Sequence, residues 1–181
     1  GALTLADTKT MTSGGTTTLS AQSIASVAYT LASAGAVAVT GPWTATGALS
    51  VTSSGSTITL NDDITTGGTA KDLTINANGA LALATNADAL TASGVLTVSA
   101  STATSGATTL TSTGNMAVTL TDKWLATSGN LALLSSAALN LDGNLETTTT
   151  GDVTLTVTAA GTFADGKSLT SAAGASISCA S

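Results

Sequence analysis

Carboxylates are the only groups in this chain with the makings of acid–base chemistry, and they are few. The 181 residues include ten acidic side chains, four lysines, no histidine and no arginine. Without imidazole there is no histidine base, no Ser-His-Asp relay and no histidine metal ligand. Without guanidinium there is no bidentate clamp for carboxylate or phosphate. Two carboxylate pairs remain, Asp62 with Asp63 and Asp142 with Glu146. Cleaving a glycoside needs two carboxyl groups that face one cleft. Neighbours on an extended backbone point to opposite faces, so Asp62 and Asp63 diverge, and Asp142 and Glu146 stand on either side of a corner. Oxygen-rich Asp/Asn turns also suit calcium, with Asp62, Asp63 and Asp142 as candidates. The nonapeptide calcium-coil pattern G-G-x-G-x-D is absent, however. Corner solubility is the expectation for all four residues, with no enzymatic activity, cofactor or resident metal.

Each lysine lies within two residues of an aspartate: Lys9 after Asp7, Lys71 before Asp72, Lys123 after Asp122 and Lys167 after Asp165. Local charge balance on an exposed turn accounts for this and stabilises little. The sharper alternative is that corners of neighbouring subunits meet there and their charges set register. Trp43 and Trp124 could serve as sugar-stacking platforms, but packing at corners is the expected role. Cys179 is the only cysteine, so a disulfide framework is excluded; it reads as a small apolar residue near the terminus.

What positions these groups is a three-residue apolar beat. GALTL at Gly1, GAVAV at Gly35, GALSV at Gly47, GALAL at Gly79, GVLTV at Gly94, GNLAL at Gly129 and GDVTL at Gly151 all place two aliphatic residues on one face of a strand. Three interleaved aliphatic series recur roughly every 22 residues, as expected of a repeat that buries its apolar face by stacking. One runs Leu3, Tyr29, Leu49, Leu73, Leu96, Val118, Leu139, Phe163. A second runs Leu19, Val37, Ile58, Leu81, Leu110, Leu131, Val153, and a third Trp43, Ile64, Leu90, Leu125, Leu145, Leu169. This predicts an all-β, single-domain parallel β-solenoid over residues 1–181, with about eight rungs of three short strands, stacked to roughly 40 Å at ~4.8 Å per rung. Thr and Ser occupy the outward positions (Thr4, Thr30, Ser50, Thr59, Thr74, Thr97, Thr119, Thr154), where β-branched threonine suits a solvent-facing strand. Turn signals fall at SSGS, NDD, NANG, STGN and LDGN, and Gly41-Pro42 marks a further corner. The stretch Ala21–Ala34 has ambiguous spacing, and strand is favoured over helix.

Ser56 to Ala100, STITLNDDITTGGTAKDLTINANGALALATNADALTASGVLTVSA, resembles the β-strand repeats of filamentous haemagglutinin-type proteins, large exported adhesins and related bacterial surface proteins. The resemblance extends over Gly35 to Thr158. It implies a right-handed parallel β-helix and a surface location. It matches neither the export nor the haemagglutinin-activity domain of that family, so it implies no specific activity.

Charge and composition narrow the function. A net charge of −6 lacks the basic footprint that nucleic acid requires and disfavours anionic membrane surfaces. No apolar run approaches the ~20 residues of a membrane helix. Charged residues make up 8% of the chain and hydrophobic ones 43%, a balance that opposes disorder, which needs low hydrophobicity and high charge. The opening at Gly1 suggests a processed product or a piece of something longer. No polar cap or capping helix is legible at either end, so Leu3, Leu5, Ile177 and Cys179 are expected to form self-assembly ends. The expected protein is an extracellular, non-enzymatic subunit at a microbial cell surface that stacks on copies of itself into a filament, tube or sheath. Cell-surface polysaccharide is a further expected partner; nucleic acid and membrane insertion are not. Two alternatives stay open: an adhesin stalk fragment, and an ice-binding solenoid using Thr triplets such as TLTVT from Thr154.

Overall fold

The computed structural model describes residues 1–6, 8–84 and 89–179. Alternation decides the local structure: in Leu49–Ser53, Leu49 and Val51 are buried while Ser50 and Thr52 are half-exposed. Among the described residues, twenty-three such strands wind into one parallel β-solenoid of about eight rungs. Each rung visits three faces in turn. The first face carries nine of these strands, from Ala2–Thr4 to Ala175–Cys179. The second runs from Lys9–Ser13 to Gly161–Phe163 and the third from Thr17–Ser20 to Leu169–Thr170. These two faces share one sheet because Met116–Ala126 and Leu139–Thr147 pass unbroken through the corner between them. The segment 21–34 is strand, as Ser23–Ser26 and Tyr29–Ser33.

Inward residues stack into continuous columns. On the first face the column is Leu3, Ile24, Trp43, Ile64, Leu90, Leu110, Leu133, Leu155, Ile177. On the second, Met11, Leu31, Val51, Ile75, Val98, Val118, Leu141 and Phe163 align. On the third, Thr17, Val37, Ile58, Leu81, Ala103, Trp124, Leu145 and Leu169 align. One core runs the length of the coil between these columns, and its interior members from Leu31 to Leu155 are almost wholly inaccessible.

The rung count predicted from sequence holds, but the assignment of residues to faces is corrected in several places. Leu3 belongs with Ile24 on the first face, not with Tyr29. The column of Tyr29, Leu49, Leu73 and Leu96 continues to Met116, two residues before Val118. The second and third aliphatic series exchange faces midway: Leu81 pairs with Ala103 and Leu90 with Leu110. Ala103 is too small to stand out among surrounding alanines, so the larger Leu110 took its place in the count. Leu125 points outward beside Glu146, and Trp124 is the inward residue.

Corners follow local chemistry. Gly41 has φ +100° and a side chain there would meet the Ala21 carbonyl oxygen at 1.9 Å, so only glycine fits. Pro42 follows and gives its carbonyl to the Ile24 N–H at 2.8 Å, while its missing N–H costs no ladder bond. LDGN is not a turn. Leu141 to Asn144 lie inside the unbroken strand Leu139–Thr147, and the direction changes at a register shift opposite Thr119–Lys123.

Candidate functional site

Five of the carboxylates are committed to the coil. Asp62 Oδ2 accepts the Gly41 N–H at 2.9 Å, one rung back, and Asp63 Oδ1 accepts the Ala89 N–H at 2.9 Å, one rung on. The divergence expected of adjacent residues is therefore turned into rung-to-rung ties. Asp72 does the same for the Val95 N–H at 2.8 Å. Asn115, Asn130 and Asn144 accept from the N–H groups of Ala138, Asp152 and Ser168 on the following rung. Asp142 and Glu146 do not converge on a cleft, since each faces a lysine. Among the described residues no three Asp, Glu or Cys side chains gather in a way that would hold a metal ion.

Two of the four lysines correct the sequence expectation. Lys123 pairs with Glu146 on the next rung at 2.7 Å rather than with adjacent Asp122, and Lys167 reaches back to Asp142 at 3.3 Å. Strand neighbours in space, not in sequence, are the nearest opposite charges. The hydrogen bond and charge of Glu146 hold the Lys123 ammonium above the usual lysine value. The expected partner of Lys9, Asp7, lies outside the described residues.

Neither tryptophan is at the surface. Trp43 and Trp124 are both fully buried in inward columns, which removes them as sugar platforms. Each indole N–H donates to a buried serine at 2.9 Å, Trp43 to Ser26 and Trp124 to Ser105.

Outside, hydroxyls line up. Thr10, Thr30, Ser50, Thr74 and Thr97 form a column on the second face. The column beside it runs Thr12, Ala32, Thr52, Asn76, Ser99, so the triplet pattern breaks at Ala32 and Asn76. Thr154 and Thr156 adjoin Ala132 and Leu134, which interrupt the first face.

The remaining site is the pair of terminal rungs. Ile177 and Phe163 end two inward columns and are 54% and 38% exposed; Met11, at the other end of Phe163's column, is 36% exposed. Leu3 and Leu5 are half-buried and Cys179 is exposed. At the C-terminal rung Leu141, Phe163, Leu169 and Ile177 surround an open hollow of about 160 Å³ edged by Lys167. Leu3, Leu5, Ile177 and Cys179 thus do lie on the terminal rungs. Phe163 and Leu169, which close the first and third aliphatic series, and Met11, which none of the series contains, are end residues that the sequence reading does not single out. No protein-family model, curated protein or solved structure matches the chain.

Proposed function

We propose that the protein is a non-enzymatic structural subunit of a microbial cell surface, a β-solenoid that stacks on copies of itself into a filament, tube or sheath. The observation that carries this is the continuity of the apolar columns, sealed from water in their interior and still in register at the first and last described rungs at Met11, Phe163 and Ile177. Apolar columns and rows of strand N–H and C=O groups of this kind are satisfied rung on rung, whether the next rung belongs to the same polypeptide or to a second copy. The hollow among Leu141, Phe163, Leu169 and Ile177 is the space the next rung's side chains would fill. The commitment of Asp62, Asp63, Asp72 and the lysine-paired carboxylates to rung-to-rung ties supports a structural role over a catalytic one. Repeating the same contact in one direction does not close on itself, so it generates a linear assembly. Electron microscopy and light scattering of the purified chain over a concentration series test the proposal. Elongated particles with a uniform cross-section are expected; dispersed single chains at high concentration overturn it.

A further inference from the structure

We infer that Asn78 is a latent deamidation site: the folded corner withholds the backbone nitrogen that would attack its carboxamide, and opening of that corner releases the reaction. The inference is independent of the stacking function proposed above.

Asn78–Gly79 is the one Asn-Gly pair in the sequence; every other asparagine is followed by a residue that carries a side chain. A glycine nitrogen is unscreened by any Cβ and sits on the most mobile of backbones, which makes it the readiest attacking group. The reaction is intramolecular and redox-neutral. The Gly79 nitrogen gives its proton to solvent base and bonds to Asn78 Cγ, and the Cγ–Nδ2 bond breaks as ammonia leaves with a proton from solvent. Water then opens the five-membered succinimide at one of its two carbonyls, giving aspartate or isoaspartate. One water is consumed and one ammonia released.

The corner requires this labile pair. Asn78 and Gly79 join the second-face strand Leu73–Ala77 to the third-face strand Ala80–Leu83, well inside the coil. A Cβ at residue 79 would meet the Ser56 carbonyl oxygen of the preceding rung at 2.9 Å and its carbon at 3.0 Å, so glycine must follow Asn78.

The same close approach supplies the restraint. The Gly79 N–H donates to that Ser56 carbonyl at 2.9 Å, so the proton that must be lost is held by the protein rather than by water. The Asn78 N–H donates to the Ser53 carbonyl at 2.9 Å, and the Gly79 carbonyl accepts the Ser101 N–H of the following rung at 2.9 Å. Three successive peptide groups are therefore tied to neighbouring rungs. Asn78 itself is exposed, so what the fold withholds is the nucleophile and not the carboxamide. Ala77 and Leu81, the inward residues on either side, are both buried, and lifting the corner draws core toward water.

Unfolding frees the pair. An isoaspartate at position 78 runs the main chain through its side-chain carbon and lengthens it by one atom. The bonds to Ser53 and Ser56 then no longer fit their present spacing. Time spent open is thereby recorded at a single residue.

The test incubates the whole chain in warm, mildly alkaline buffer, folded in one sample and unfolded by guanidinium in the other. The tryptic peptide from Asp72 to Lys123 is then mapped by mass spectrometry. Conversion of Asn78 is expected to be at least about tenfold faster in the unfolded sample, because only opened molecules react. Enzymatic methylation of isoaspartate should rise with it. Asn76, in the same peptide but followed by Ala77, is the internal reference and is expected to convert far more slowly in both samples. Hydrogen exchange of the unaltered folded chain gives a second readout, in which the Gly79 amide is expected among the protected ones. Equal conversion of Asn78 in the two samples, no conversion in the unfolded one, or rapid exchange at Gly79 overturns the inference.

Discussion

Trp43 donates its indole N–H to Ser26 across 2.9 Å, from the position directly over Ile24 to the serine two residues further along the same strand. Trp124 repeats the relationship on the third face, standing over Ala103 and bonding Ser105, again two residues on. In each case a large residue enters a column of aliphatics, and a serine on the preceding rung meets its one polar atom. Ser26→Ala leaves that N–H buried and unpaired, a loss of about 1–3 kcal/mol. Urea denaturation of the two proteins is expected to show it. Trp43→Phe combined with Ser26→Ala is expected to lose less than the sum of the single changes, because both partners of the bond are then gone.

Glycines at two positions are expected to respond oppositely to the same substitution. Gly41→Ala forces a side chain into positive φ and onto the Ala21 carbonyl, and should destabilise by more than about 1 kcal/mol. Gly14→Ala, where nothing lies within 4 Å, should stay within about 0.5 kcal/mol of the parent. Denaturant midpoints measured side by side decide this.

Assembly should respond to charge at the terminal rungs. Ile177→Lys places an ammonium at the exposed end of the first-face column and is expected to abolish association while leaving the fold, because Ile177 is already 54% exposed. Lys9→Leu removes the charge from the opposite rung and is expected to lower the concentration at which association begins. Light scattering against concentration reads both changes.

The Lys123–Glu146 pair gives a pH dependence of known sign. Glu146 raises the ammonium's value above that of the unfolded chain. The pair's contribution is therefore complete below the unfolded value and is lost as pH climbs through the folded one. Above the usual lysine value of about 10.4, the stability of the parent should fall toward that of Lys123→Met. The two should differ most at neutral to mildly alkaline pH. Denaturation midpoints across that range measure the convergence, which at this exposed pair will be small.

The strands and their number were legible in the sequence because period-2 alternation and a repeat near 22 residues are both properties of linear spacing. The columns were legible only where each rung contributed a large aliphatic. Ala103 gave no signal, so Leu110 was taken into the wrong face, and the two-residue slip at Val118 arose because Met116 and Val118 are both inward. Which acid each lysine meets depends on the neighbouring rung, so Lys123–Glu146 could not be seen from the adjacent Asp122. Cys179 and Ile177 were legible as end residues because the alternation runs to the last described strand. Phe163 was placed in the first series but not recognised as a column end, because the longer corner after it moves Leu169 and Ile177 further along the chain.

One corner has a practical consequence for anyone wishing to build with this molecule. Between the first and second faces the chain crosses in two residues after Ser26 but in six after Thr66, yet the strands on either side keep their places in the columns. Length at that corner is therefore independent of the coil's pitch. A foreign peptide spliced between Gly68 and Thr69 would be presented outside the shaft at a fixed height, and equivalent splices on successive rungs would sit about 4.8 Å apart. The coil then acts as a ruler, and its corners as graduations on which cargo can be mounted.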